Sequence, residues 1–495
     1  MISAFFNIRK IPELRNRVIF TLLLLVVVRL GSSITCPGVN ASVLQQFFSS
    51  EVNSSGGGGV AALFNMFSGG ALEKCAIFSL GVMPYISASI MIQLLTAVIP
   101  QLGKLAKEDG GRQKIMQYTR YATIMLCIFQ GALLAKSLQN PGSLLHNIEK
   151  TIEVYGPLVP NPGTGFVVMT VISLTAGTMF LMWLGDQITE RGIGNGMSLI
   201  ISVGILSLFP AALVQAWKTV VPTVGGGQPI LLVFMVAFLV LVIAGVICIT
   251  QAQRRISVQY AKRVVGRKVY GGQTQYMPLK VNYAGVMPII FAQAILVFPS
   301  SIIQMMWSDS PAANRFAAFL SEGWGHYAII GLMIFFFSYF WVATQFRPQE
   351  IADDLKKQGG YIPGIRPGKA TADFLDNTMT RLTFAGAIFL TIITILPQLL
   401  SQGMGIPPLA AQFFGGTSIL IVVGVVLDTM RQIETHLIQR HYDGFLRKGK
   451  MRGRFDRNPN QMGEAATNTA LIWVAIAASI VILAGIVFLM NGQAK

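Results

Sequence analysis

The sequence predicts an all-α polytopic membrane protein of ten spans, with an eleventh apolar segment close to its C-terminus. Three observations carry this. Of the 495 residues, 53% are hydrophobic and only 12% charged, about half the charge of a soluble domain. Apolar runs recur along the chain at the length a span requires, about 20 residues. The basic residues between those runs gather on alternate connections, as the positive-inside rule demands.

Residues 1–17 hold Arg9, Lys10, Arg15 and Arg17, ahead of a first apolar run from Val18 to Val28. A basic start and a short apolar run also fit a signal peptide, a reading outweighed by the runs that follow. Arg29 ends the first run. A charge inside a span costs about 3 kcal/mol on insertion scales, so Arg29 is expected to face protein rather than lipid. Asn53 to Gly59 is a flexible polar link. Ala61 to Leu72 is apolar on one side but too short to cross, and Gly69-Gly70 lets the chain bend there. Ala76 to Val98 is long enough, and carries Gly81, Pro84, Ser87, Ser89 and Gln93. Lipid-facing helices do not need such residues, whereas spans that line a cavity or meet another helix do. The plainer alternative makes Ala61 to Leu72 a connecting helix. Further runs lie at Tyr118–Leu138, Phe166–Leu184, Ile193–Val214, Ile230–Ile249, Val281–Ile303, Tyr327–Thr344, Leu382–Leu399 and Thr417–Leu427, with the eleventh at Ala470 to Met490.

With the N-terminus cytosolic, 31 of the 38 basic residues fall in cytosolic segments. Lys74, Lys136, Lys150, Lys218, Arg315 and Lys495 remain on the far side, and Arg29 lies inside a span. The net charge of +17 calls for an anionic partner, lipid headgroups or RNA. Two cytosolic connections exceed simple turns. Gln251 to Lys280 carries seven basic residues and no acidic one. Topology alone could explain that, but an acid-free basic loop of this length suits phosphate contact. Phe346 to Asp376 mixes charges, and its YIPGIRPG turn would hold Arg366 stiffly at a loop tip.

No catalytic set is visible. His146, His326, His436 and His441 lack Cys, His or acidic partners at ligand spacing within a span, so metal hydrolysis has no support. No enzymatic activity and no cofactor is expected. Cys36, Cys75, Cys127 and Cys248 read as small apolar fillers rather than a disulfide framework. RGIGNG, Arg191 to Gly196, reads as the turn that starts a helix rather than a phosphate loop. A coupled small-molecule transporter needs ionisable groups inside the membrane, and only Arg29 offers one. The residues alone favour a channel and leave a transporter open.

Several motifs then resemble the SecY/Sec61-alpha family over most of residues 1–450. They are FNMFSGGAL, MPYISAS, GDQITERGIGNG (Gly185–Gly196), RRISVQYAKR (Arg254–Arg263), PLKVNYAGVMP (Pro278–Pro288), IPGIRPG (Ile362–Gly368) and FFGGTSILIVV (Phe413–Val423). The resemblance implies a ten-span channel in two pseudo-symmetric five-span halves, residues 1–215 and 216–440. The second half would hold cytosolic loops 251–280 and 346–378; a basic tail, 441–469, and the extra segment, 470–495, would follow. Such a channel passes unfolded preproteins across the cytoplasmic membrane and releases transmembrane segments sideways into lipid.

Carried onto this sequence, the resemblance puts a pore ring at Val82, Ile86, Met197, Ile201, Ile290 and Ile421. Branched apolar side chains suit a dewetted collar, and the linear Met197 would make it more adaptable. It puts a plug at about residues 61–72, centred on Phe64, Asn65, Met66, Phe67, Ser68, Gly69 and Gly70. A lateral gate would use Ser87, Ser89 and Gln93 on one span and Gln293 on another. Docking would use Arg254, Arg255, Arg267, Lys268 and Arg366. The implied partners are SecE and SecG, the SecA motor, the ribosome, preproteins and membrane lipids. Arg347 in FRPQE, the run Gly56 to Gly59 and the eleventh segment depart from the family pattern.

Overall fold

Helix α1, Pro12–Gly31, starts on a proline whose missing N–H costs nothing in a first turn. The computed structural model describes residues 12–46, 65, 68–108, 110–139, 156–220, 229–260, 263–265, 268–270, 274–306, 315–316, 319–320, 323–404, 410–411, 413 and 416–447. Phe64, Met66, Phe67, Arg267, the tail beyond Arg447 and the eleventh segment lie outside the described residues. After α1 come α2 (Met83–Val98), α3 (Pro100–Lys107), α4 (Gly111–Gln139), α5 (Thr164–Arg191), α6 (Gly196–Val220) and α7 (Pro229–Gln251). Past four strands follow α8 (Met287–Met306), α9 (Gly323–Gln345), α10 (Pro348–Lys357), α11 (Lys369–Met404) and α12 (Thr417–Arg447).

Helices thus overlap each of the ten expected stretches. Among the described residues, five are long and apolar enough to cross a membrane: α4, α5, α6, α9 running on through α10, and α11. The pair α2 and α3 would make a sixth, bent by 106°. The bend falls at Ile99, which is extended (φ −94°, ψ 111°) because Pro100 disfavours helical geometry in the residue before it. The span expected from Ala76 starts later, at Met83, with turns from Ala76 to Val82. Proline is best accommodated in the first turn of a helix, where it has no preceding turn to clash with. Pro84 therefore sets that start.

The chain divides into two compact units. The first gathers residues 1–89, 116–245 and 397–495, the second 90–115 and 246–396. In the first, α6 packs against α5, α12 and α1, and α1 also packs against α5. The corner between α5 and α6 is RGIGNG, held from several directions. Ile193 N–H donates to Thr21 Oγ1 (3.1 Å) and Gly194 N–H to Gln432 Oε1 (2.9 Å). Asn195 Oδ1 caps α6 by accepting from the N–H groups of Met197 and Ser198 (3.1 and 3.3 Å). It is a helix-start turn, as expected. Gly196 lies so close to the Gly185 backbone that a Cβ could not fit.

In the second unit, α8 packs against α9, with Phe291 edge-on to Phe337 and Trp341 (centroids 5.8 and 5.4 Å). The two long connections are not plain loops. β1 (Gln253–Tyr260), β2 (Arg263–Val265), β3 (Lys268–Tyr270) and β4 (Thr274–Lys280) come from the first, β5 (Gly360–Tyr361) from the second. One sheet has the order β4-β1-β5, with β1 antiparallel to both neighbours, and β2 pairs with β3 separately. Ile256 and Val258 on β1 point into a core with Leu279, Phe346, Ile362, Leu375 and Met379. Their period-2 alternation in RRISVQY is a strand signal that the charge of the loop overshadows.

Candidate functional site

The segment around Gly69 is seated against spans of its own unit. Asn65 and Ser68 are helical and the chain then turns. The turn is closed by Gly70 N–H donating to Asn65 O (2.9 Å) and by Glu73 N–H donating to Asn65 Oδ1 (3.1 Å). Gly69 and Gly70 both have positive φ, 67° and 82°, a conformation open to glycine without steric cost. Gly69 O accepts two hydrogen bonds, from Arg29 Nη1 (3.0 Å) on α1 and from Ser207 Oγ (3.2 Å) on α6. A Cβ at Gly69 would stand 2.6 Å from Gly204 Cα, so the two backbones touch. Arg29 faces protein, as its expense in lipid requires. Gly204 and Ser207 were missed in the sequence, where only small residues one helical turn apart could have pointed to a close approach. Burial pushes the Glu73 carboxyl above its ordinary range, against the pull of Asn65 and Lys74.

The residues assigned to the ring are apolar and mostly enclosed. Val82, Ile86, Ile201 and Ile421 belong to the first unit and are 2–9% exposed. Ile86 N–H donates to Val82 O (3.0 Å), so these two lie one turn apart at the head of α2. Ile201 and Ile421 are carried by α6 and α12, which pack together. Met197 is half-buried, its sulfur laid over Gly185 of α5. Ile290 is buried within the second unit, on α8. Of the residues assigned to the gate, Ser87 and Ser89 are half-buried and Gln93 is exposed, all on α2. Gln293 sits on α8 with its Oε1 buried and without a hydrogen-bond partner among the described residues.

Arg254 and Arg255 are exposed at the start of β1, opposite Leu279 and Pro278 of β4. Arg366 is exposed between Pro363 and Pro367, flanked by Gly364 (φ 84°) and Gly368 (φ 105°), and its carbonyl accepts from Thr371 Oγ1 (2.9 Å). Pairing of Gln259 with Tyr361 ties β5 to β1, and the Tyr361 hydroxyl donates to Gln259 Oε1 (3.1 Å). Arg254, Arg255 and Arg366 are thereby carried on one folded platform. Lys268 lies on β3. Arg347 heads α10 and pairs with Glu350 (2.9 Å). Among the described residues no group of His, Cys, Asp and Glu could hold a metal ion.

This arrangement defines a class: a multi-pass helical membrane protein with a segment of its own chain docked on its spans and a basic sheet built from two of the connections between helices. The SecY family profile matches residues 76–430, and the chain belongs to the SecY family. It is 42% identical over 458 residues to the protein translocase subunit SecY of Thermotoga maritima, covering 92% of this chain and all of that one. The same-named protein of Streptomyces galbus is 45% identical over 453 residues (90% and 100% covered). That of Escherichia coli K12 is 44% identical over 449 residues (89% and 96%). Among solved structures, one described as a protein conducting channel aligns with TM-score 0.59 at 16% identity, covering 88% of this chain and 94% of that one. A Sec61 chain from a canine ribosome-channel complex aligns with TM-score 0.54 at 16% identity (88% and 94%). At such identities these structures speak for the fold.

Proposed function

We infer that this chain is the channel subunit of a preprotein translocase, passing unfolded proteins across the cytoplasmic membrane and releasing apolar segments into lipid. The observation that carries it is membership of the SecY family over nearly the whole chain. The small-molecule transporter reading finds no support in the comparisons. The segment from about Ala61 to Leu72 is the plug, held shut at Gly69 by Arg29 and Ser207. Val82, Ile86, Met197, Ile201, Ile290 and Ile421 form the collar, whose apolar side chains dewet an empty pore. Ser87, Ser89, Gln93 and Gln293 lie along the lateral gate. Arg254, Arg255, Arg267, Lys268 and Arg366 dock an anionic surface, the ribosome or the SecA motor. SecE and SecG complete the complex, and the N-terminus is cytosolic. The role is conduction rather than catalysis.

Reconstitution tests this. Purified in mild detergent, the chain should carry two small membrane proteins of the SecE and SecG type. Vesicles holding that complex should protect an added preprotein from protease when SecA and ATP are present. Absence of both partners and of protected preprotein, with uptake of a small solute instead, would overturn the reading.

A further inference from the structure

Two of the four cysteines, set far apart in the sequence, meet in the fold. The strand-like residues after α1 and those before α2 run antiparallel for one bridge, Thr35 opposite Ala76. Cys36 N–H donates to Cys75 O (2.8 Å) and Ile77 N–H to Ile34 O (2.9 Å), which sets Cys36 directly opposite Cys75. The backbone hydrogen bond from Cys36 to Cys75 brings the two residues into direct contact, and a disulfide requires Cα atoms about 4.4–6.8 Å apart. Both are buried, 1% and 0% exposed, among Val43, Leu44, Leu80 and Leu158. Cys75 has a φ of 43°, alone among the described non-glycine residues in being positive. A mere filler gains nothing from that backbone, which surroundings must hold in place.

We propose that Cys36 and Cys75 form a disulfide in the mature protein, stapling the end of α1 to the turn that leads from the plug into α2. This rests on the orientation proposed above, which places both residues on the exported side, where disulfides form and persist. Either thiol can attack first; with Cys36 as the thiolate, Cys75 resolves. The oxidant is a disulfide of that compartment, a small molecule or a protein. Cys36 attacks one of its sulfurs and expels the other as thiolate. That thiolate takes the Cys75 proton, and Cys75 attacks the Cys36 sulfur and expels the second thiolate. Two electrons pass to the oxidant, which leaves as two thiols once the second thiolate takes the proton Cys36 released. Exchange precedes packing, and the packed core then shields the bond from reductants. With the staple closed, the plug leaves Gly204 only by swinging about Cys75.

The test counts thiols in the wild-type protein of native membranes, quenched in acid, unfolded in detergent and capped with a maleimide polymer. Two additions are expected without reduction, from Cys127 and Cys248, and four after it. C36S and C75S should each show three under both conditions. A companion variant, N161C, adds an exposed cysteine to the connection before α5. Labelled by an impermeant maleimide from outside spheroplasts, it upholds the orientation. Four additions without reduction, with N161C labelled from outside, overturn the disulfide alone. Labelling of N161C from the cytosolic side only overturns the orientation, and the inference with it. The wild-type count requires no variant to fold.

Discussion

The seat of the proposed plug and the sheet proposed for docking are built on different principles. At the seat, two glycine backbones touch, Gly69 on Gly204, and one carbonyl takes two side-chain hydrogen bonds. Among the described residues the contacts at Gly69 itself are backbone and polar, whereas Leu72, three residues on, packs on the cluster of Cys36, Cys75 and Leu80. The sheet sits over a continuous core that includes Ile256, Val258, Leu279, Phe346 and Leu375, with its arginines exposed. Interlocked apolar side chains resist separation because each one parted from its neighbours returns to water. Backbone fit and hydrogen bonds can be exchanged for similar ones elsewhere. The contact at Gly69 is thus made by backbone fit and hydrogen bonds, and the sheet is held by a core.

Substitution at the seat should break this contrast most visibly. G69V adds a branched side chain at positive φ, costing roughly 1–2 kcal/mol, and drives it into Gly204, costing roughly a further 1–3 kcal/mol. The plug should unseat, and ion conductance of the reconstituted channel should rise at least tenfold. Conductance equal to wild type would mean that Gly69 is not where the channel is sealed.

Charge reversal on the sheet comes next. R254E/R255E should leave the resting conductance unchanged and weaken ribosome binding by more than tenfold at moderate salt. For every phosphate that an arginine no longer neutralises, the log–log slope of affinity against salt should also flatten by about one. Unaltered binding and slope would return these arginines to a purely topological role.

R29A sharpens the account of the seat. It removes one charged hydrogen bond, worth about 1.5–3 kcal/mol, and leaves the Ser207 bond in place. Conductance should rise, but less than in G69V. A larger rise than in G69V would make the charge, not the backbone fit, the principal latch.

The smallest effect is expected at Gln293, whose buried Oε1 has no partner among the described residues. Q293M removes an unsatisfied carbonyl, a burden of about 1–3 kcal/mol. The variant should melt slightly higher in detergent and admit transmembrane segments to lipid less readily. A lower melting temperature would show that the oxygen is satisfied in the assembled membrane.

Gly69-Gly70 foretold a bend in the chain, and the cost of Arg29 in lipid foretold that it meets protein. Neither showed that the two meet each other, because the partner is a backbone carbonyl forty residues away. The strands of the basic loop were legible in RRISVQY but hidden behind its charge. The pairing of β1 with β5 was not legible at all, since Gly360 and Tyr361 have no strand pattern of their own. For the same reason four cysteines without metal spacing looked like filler, although Cys36 and Cys75 turn out to face each other.

Hydropathy and charge act residue by residue on a solvent of fixed thickness, so sums along the chain were enough to settle the membrane class and the helical stretches. The bend at Ile99 was likewise written locally, in Pro100. Contacts between distant segments follow another rule. Which glycine lies against which, where a buried donor finds its acceptor and which thiols come face to face depend on how helices pack. Packing is a property of pairs, and no window of sequence contains both members. The seat at Gly69, the shared sheet and the opposed cysteines were therefore decided by the tertiary structure alone.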